Sequence, residues 1–450
     1  MAATSFALGT LRPSYLLLLL VATSGIVTPL LSQATDTVSR SQPLSGDRRL
    51  VSQGGKFALG FFQPVGGTPD RWYLAVWFNK VPKLTPVWVA NRVAPISDPK
   101  SSELRISEDG NLVLYNQLNS PIWFTNITSS TSDPTIGMIL DTGNFVLTLA
   151  SNLTNFLWQS FDEPTNVWLP GAKLGWNKIT GLNRRLVSWK TSSDPSPGYY
   201  SVEIDLGGSN QFLYRWNNSE NYWTTGSWTG TMFSGVPEMA LYPKSLLTYD
   251  YVNNEQENYF MYRTNESKII AMFSMEIVGQ VKAVSWMESA QDWVPFLAMP
   301  KAQCSVYLVC GTFSICTENA FTFCSCIRGF SQQYGGDRLY GNSSEGCTRN
   351  VGLPCAGNSS RKEKVDGFYA LAVANFPDNA WSVAAASDNE YSSLGQSIYV
   401  RLAASEFSSP TKTRKALVTG AAIVGDGTLV AVKKLDGISQ GDKEFRAEGN

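Results

Sequence analysis

Asp109, Asn111 and Tyr115 follow one another at alternate positions, with Val113 between the last two. A carboxylate that accepts, a carboxamide that donates and accepts, and a phenol that does both match the vicinal hydroxyls of a hexose, and Val113 can lie against its C–H groups. The chemistry open to this set is recognition of a neutral sugar. A spacing of two is the period of a β-strand, where side chains alternate faces. Read as one strand, residues 109–115 turn Leu112 and Leu114 to a core and the four candidate residues to an open face.

The elements that would position these residues recur. Gly55–Leu59, Gly110–Leu114 and Gly143–Leu147 are copies of one short pattern, and such self-similarity predicts a repeat-built architecture. The core-facing pairs Phe57/Leu59, Leu112/Leu114 and Phe145/Leu147 survive in all three copies. The polar face does not: the third copy keeps only Asn144 and Val146, and the first shows Lys56, Ala58 and Gly60. The stretch around Asp109 resembles the site of the bulb-type, mannose-binding lectin family, Gln-x-Asp-x-Asn-x-Val-x-Tyr, with Ser107 in place of the Gln. The resemblance implies a β-prism with threefold internal repeat and a carbohydrate site at Asp109, Asn111, Val113 and Tyr115. A scaffold whose polar face is simply solvated is the other reading.

Residues 35–171 read as short strands separated by Gly, Pro, Asn and Asp turns. Within them Val87-Trp-Val-Ala-Asn-Arg92 and Trp158-Gln-Ser-Phe-Asp-Glu-Pro-Thr165, continuing to Gly171, resemble two signatures of the bulb-lectin domain of plant S-receptor-like proteins. Val93 departs from that pattern, which has Asp there. The adjacent acids Asp162 and Glu163 do not make a glycosidase pair, since neighbours on a strand face opposite ways.

The chain opens with Arg12, the apolar run Tyr15 to Ala22 and Ser32-Gln-Ala34, the layout of a secretory signal peptide over 1–34. A signal anchor is the competing reading, but the run is shorter than the roughly 20 residues that a span needs. With 14 Trp, 18 Tyr and 37 Gly in 450 residues, composition favours strands and several domains. A formal net charge of −1 gives no bulk attraction to nucleic acid or a membrane surface. Six Asn-x-Ser/Thr sequons, at Asn126, Asn152, Asn217, Asn265, Asn342 and Asn358, predict glycosylation in a secreted chain.

Residues 180–300, with Ser188-Trp-Lys190, Tyr222-Trp223 and Gly226-Ser-Trp-Thr-Gly230, resemble the β-rich S-locus glycoprotein domain. Their aromatic residues read as core. Six of the seven cysteines then fall between Cys304 and Cys347 as C-x5-C-x5-C-x7-C-x-C-x20-C. A sequon-rich chain without His favours disulfides over zinc, and spacing alone leaves 15 pairings open. The close pair Cys324/Cys326 is similar to that of an EGF-like module, placed at 301–350. That resemblance implies Cys304–Cys316, Cys310–Cys324 and Cys326–Cys347.

Residues 355–407 resemble the two ends of a PAN/apple domain lacking its middle, with Cys355 left over as the odd thiol. The run Ala416 to Val424 is too short to cross a bilayer, so no transmembrane span is expected. Residues 425–450 resemble the start of a serine/threonine kinase, with Lys433 as an ATP-anchoring lysine and Glu448 as its partner. A phosphate-covering Gly-rich loop, His-Arg-Asp and Asp-Phe-Gly are absent, and the sequence holds no His. No catalytic function, cofactor or metal is therefore expected.

Together the motifs identify the chain as similar to plant G-type lectin S-receptor-like serine/threonine kinases, in truncated form. The resemblance implies a secreted or cell-surface recognition protein that binds a mannose-type glycan, a peptide or a sibling receptor, as a homo- or heterodimer, in pollen self/non-self recognition or immune sensing. Two alternatives remain: an incomplete record of a membrane-bound receptor kinase, and a non-functional product.

Overall fold

The computed structural model describes residues 35–128, 133–241, 247–264, 269–318, 320, 323–332, 346–353, 367–373, 383–384 and 396–407. Residues 1–34, expected to be a signal peptide, and Asn265, Asn342, Asn358, Cys355, Lys433 and Glu448 lie outside them. Regular structure among the described residues is antiparallel strand apart from a few single 3-10 turns and one short parallel pairing.

Short strands build three four-stranded sheets in the first unit, alternating in burial at Glu103–Ile106 but buried on both faces at Tyr73–Phe78. Phe57–Phe62, Tyr73–Phe78 and Pro86–Val89 form one, Glu103–Ile106, Leu112–Tyr115 and Pro121–Phe124 a second, and Thr135–Ile139, Phe145–Leu149 and Asn152–Gln159 a third. Each takes its fourth strand from the start of the chain, and the assignment runs backwards. Thr37–Val38 joins the third sheet, Leu44–Ser45 the second and Arg49–Val51 the first. The inner faces close one core, in which Leu59, Leu112, Leu114, Phe145 and Leu147 are fully buried. This is a β-prism, and each repeat of the sequence pattern is one of its walls.

The second unit repeats the plan. Its sheets contain Asp194–Ile204, Phe212–Trp216 and Glu220–Thr224; Leu247–Asn253 and Glu257–Thr264; and Ala271–Met275, Val281–Met287 and Asp292–Met299. Leading strands again serve the sheets in reverse: Val167–Trp168 the last, Leu174–Asn177 with Asn183–Arg184 the middle, and Leu186–Thr191 the first. Trp168 centres the core against Phe212, Phe260, Tyr262 and Phe273. Its indole N–H donates to the Ala172 carbonyl, and the Tyr262 hydroxyl donates to the Trp168 carbonyl, so neither of these buried polar groups is orphaned. The aromatic residues here are core, as their sequence context predicts.

One hairpin turn is shared by both units. At 107–111, 140–144 and 276–280 the first residue donates to the carbonyl of the fifth, while the glycine fourth in line donates back to the first. Gly110, Gly143 and Gly279 each hold φ near +83 to +84, a conformation that side chains resist. Space adds a second restriction, since a Cβ on Gly143 would lie 2.5 Å from Leu169 Cδ1 and one on Gly279 2.4 Å from Val306 Cγ1.

Beyond residue 300 covalent bonds supplement a smaller apolar core. The six cysteines pair as Cys304–Cys316, Cys310–Cys324 and Cys326–Cys347. Gly367–Val373 and Gln396–Leu402 pair antiparallel, and the buried Val400 and Leu402 pack on Ile327, Phe330 and Cys347.

Candidate functional site

The strand that carries the sugar motif begins at Leu112, not at Asp109. Residues 107–111 form the tight turn around Gly110, which takes Asp109 off the sheet face and leaves it exposed at the hairpin tip. Alternation therefore holds only from Leu112 onward. The structure does bring Asp109 and Asn111 together, but toward each other. Asn111 Nδ2 donates to Asp109 Oδ2 at 3.0 Å and to the Ile127 carbonyl at 3.3 Å. Asn111 Oδ1 accepts from Thr125 Oγ1 at 3.0 Å and from the Ile127 N–H at 2.7 Å. The amide is buried and its donors and acceptor are all engaged.

Asp109 is bound in the same way. Its Oδ1 accepts from the Ser107 hydroxyl and from the Asn111 N–H, and these bonds hold its carboxyl below the ordinary value. Val113 is buried. Tyr115 is half-exposed, and the Arg105 guanidinium lies 4.1 Å from its ring centre. That cation is in turn paired with Glu103 and Asn119. The residue that sequence reasoning overlooked is Thr125, which supplies the hydroxyl on which Asn111 closes.

The third repeat shows what this arrangement is for. Asn144 Oδ1 accepts from Ser160 Oγ at 3.1 Å and from the Phe161 N–H at 3.2 Å, and the Ser160 hydroxyl accepts from the Phe145 N–H. In the second repeat Thr125 accepts from the Leu112 N–H in the same manner. An asparagine after the turn glycine thus locks the hairpin to the next strand's end.

The two Trp-containing signatures meet at the seam between the prisms. Asn91 accepts from the Leu74 N–H at 2.8 Å and donates to the Ala94 carbonyl at 2.9 Å, which fixes the loop that presents Arg92. Arg92 crosses into the second unit and donates to the carbonyls of Pro195, Val187 and Ser188 at 2.6, 3.1 and 2.8 Å. Burial lowers its pKa to about 10, with the Asp194 charge opposing, so it remains a cation at neutral pH. Trp88 and Trp158 donate to the backbone carbonyl and the carboxylate of Glu163, both at 3.0 Å.

Ser160–Asp162 is a 3-10 turn, not a strand, so the separation of Asp162 from Glu163 has another cause. Asp162 is held by Arg184 Nε at 2.6 Å, whereas Glu163 is held by Trp158. The two carboxylates answer to different partners and do not flank a common site. Of the predicted glycosylation sites, Asn126, Asn152 and Asn217 are all exposed. Among the described residues no cluster of His, Cys, Asp or Glu could hold a metal, and no helix is long and apolar enough to cross a membrane.

Comparison with known proteins shows the family. A D-mannose binding lectin model matches residues 85–190, and an S-locus glycoprotein domain model matches 223–334. The S-locus-specific glycoprotein S6 of Brassica oleracea is 34% identical over 362 residues, which is 79% of this chain and 79% of that one. The chain belongs to the S-locus glycoprotein and S-receptor-like family. The Arabidopsis thaliana receptor-like serine/threonine-protein kinase SD1-8 is 37% identical over 360 residues, covering 78% of this S-receptor-like chain but 40% of the kinase. The chain thus spans about 40% of the length of such curated kinase relatives. The mannose-specific agglutinin of snowdrop (Galanthus nivalis) bulbs aligns at 22% identity over 25% of this chain and 88% of that one, with a TM-score of 0.20, a likeness too slight to bear on the site.

Proposed function

We propose that this S-receptor-like chain is an extracellular recognition protein, secreted or at the cell surface, that binds a glycan, a peptide or a sibling receptor. The observation that carries the reading is the match across 79% of both chains to an S-locus-specific glycoprotein, a relative whose name denotes a glycoprotein and no kinase. Exposed sequons at Asn126, Asn152 and Asn217 support passage through the secretory pathway. The role proposed for residues 1–450 is binding, since they include no His for a His-Arg-Asp loop. We read the three disulfides as an EGF-like module and the paired strands Gly367–Val373 and Gln396–Leu402 as part of an incomplete PAN domain.

In this reading the sugar-motif residues are structural. Asn111 has no free donor or acceptor to offer a hexose, and a glycan on Asn126 would stand between its two partners, Thr125 and Ile127. A second reading, that the sequence is part of a membrane-bound receptor serine/threonine kinase, is favoured by the 40% coverage of kinase relatives. Expression of the full chain in plant cells tests both, with blots of medium, lysate and membranes before and after glycosidase digestion. A species in the medium that shifts on digestion is expected. Retention of all the protein inside the cell would count against a recognition role for this chain.

A further inference from the structure

We infer that the seam between the two prisms holds a binding cleft for a neutral sugar residue, separate from the motif at Asp109 to Tyr115. The inference rests on the recognition role proposed above and gives it a place. The cleft has a volume of about 330 Å³, at the small end of the range for ligand pockets. Trp123, Ile122 and Val93 line it from the first prism, Glu163 and Thr165 from the connecting segment, and Pro197 from the second prism.

Three features define what it takes. Trp123 is half-buried and packs edge-on to Trp88 and Trp158, with ring centres 5.8 and 5.5 Å away. It is a rigid aromatic wall of the kind on which the C–H face of a pyranose lies. Thr165 is 4% exposed, and its hydroxyl has no hydrogen-bond partner among the described residues. Such a group leaves a hydrogen bond unmade unless a ligand or water supplies it, and a sugar hydroxyl can donate to it or accept from it. The charges then exclude anionic sugars. The Arg92 guanidinium is already given to three carbonyls, while Glu163 adds a carboxylate, oriented by the Trp158 N–H at 3.0 Å. A uronate or sulfated sugar would meet repulsion from that carboxylate, facing a guanidinium whose Nε and Nη2 are already engaged.

The test uses the full chain purified from plant medium, titrated with mannobiose, cellobiose and galactobiose. Digalacturonate and trilysine are the charged controls. Tryptophan fluorescence and saturation-transfer NMR report binding. Thr165→Val removes an unpartnered hydroxyl and should fold as wild type, and Tyr115→Phe alters the motif without touching the cleft. At least one neutral disaccharide is expected to bind, with affinity about tenfold weaker in Thr165→Val, the worth of one good hydrogen bond, and unchanged in Tyr115→Phe. The cleft assignment is overturned if no neutral disaccharide binds the secreted protein. It is equally overturned if Thr165→Val binds as wild type, if Tyr115→Phe alone loses binding, or if only digalacturonate or trilysine binds. Those outcomes leave the recognition role standing, which fails instead if the chain is never secreted.

Discussion

Asn111 and Asn144 do one job in two walls of the first prism, and the job is structural. Each accepts from a buried hydroxyl, which itself accepts from the first strand N–H after the asparagine, and from one backbone N–H of the neighbouring segment. Replacing Asn111 with Ala leaves the Ile127 N–H and the buried Thr125 hydroxyl each without one partner, at a cost of about 1–2 kcal/mol in this partly buried setting. Asn144→Ala should cost a similar amount. Thermal melts of the two variants check this, and a melting temperature equal to wild type in either would show that the amide is dispensable. The sequence made the repeat and its core face legible, because Phe57/Leu59, Leu112/Leu114 and Phe145/Leu147 keep their alternation. It did not reveal that Asp109 leaves the strand, since a hairpin turn through Gly110 and an extended strand share the same residues up to the glycine. Nor could it show that Thr125, fourteen residues on, would take up the amide.

At the scale of elements, the two Trp signatures turn out to be one structure. The two signatures were readable as family marks, but their meeting depends on the Trp88 to Glu163 bond, 75 residues apart, and their place at the seam on Arg92 bonds about a hundred residues apart. Asp194 belongs to the same seam and faces Arg71 of the first prism at 3.5 Å. Burial raises its carboxyl, but hydrogen bonds from Ser196 and the charges of Arg71 and Lys190 outweigh that and leave it below the ordinary value. A carboxyl lowered in the folded state contributes stability that is complete above the ordinary Asp pKa of about 3.9 and is lost as pH falls through the lowered value. Asp194→Asn should therefore melt below wild type near neutral pH, and the gap should close toward about pH 3. Melting curves of both proteins across that interval decide it. A gap that persists in acid would mean the carboxylate charge is not what stabilises the seam.

For the whole molecule, contacts run in series from the first prism to the disulfide module. Arg92 ties the first prism to the second, and the Tyr200 hydroxyl ties the second to the Tyr307 carbonyl at 2.9 Å. The three bridges close loops of 12 to 21 residues, each worth about 3 kcal/mol by the chain-entropy argument. Reduction should release residues 301–407 to proteolysis and leave a protected fragment ending near 300. Mass spectrometry of a limited digest reads the boundary, and digestion of the whole chain would show that the prisms depend on the module. The doubling of the prism was hidden in the sequence because the second unit keeps the turn glycine but not the asparagine. Gln280 follows Gly279 where Asn111 and Asn144 follow theirs, and the alternation needed for a core tolerates the exchange. The reversed order of the leading strands also carries a consequence in time. Thr37–Val38 leaves the ribosome early, yet its partner strand ends at Ile139, so about 100 residues are made before the two can pair. At ordinary synthesis rates that is about 5–20 s during which the first-made strand waits for the last wall of its own prism. The same wait recurs between Val167–Trp168 and Ala271–Met275. Each prism is therefore sealed by its earliest residues only once its latest hairpin exists, and a polypeptide interrupted before that point holds an open, unclosed half.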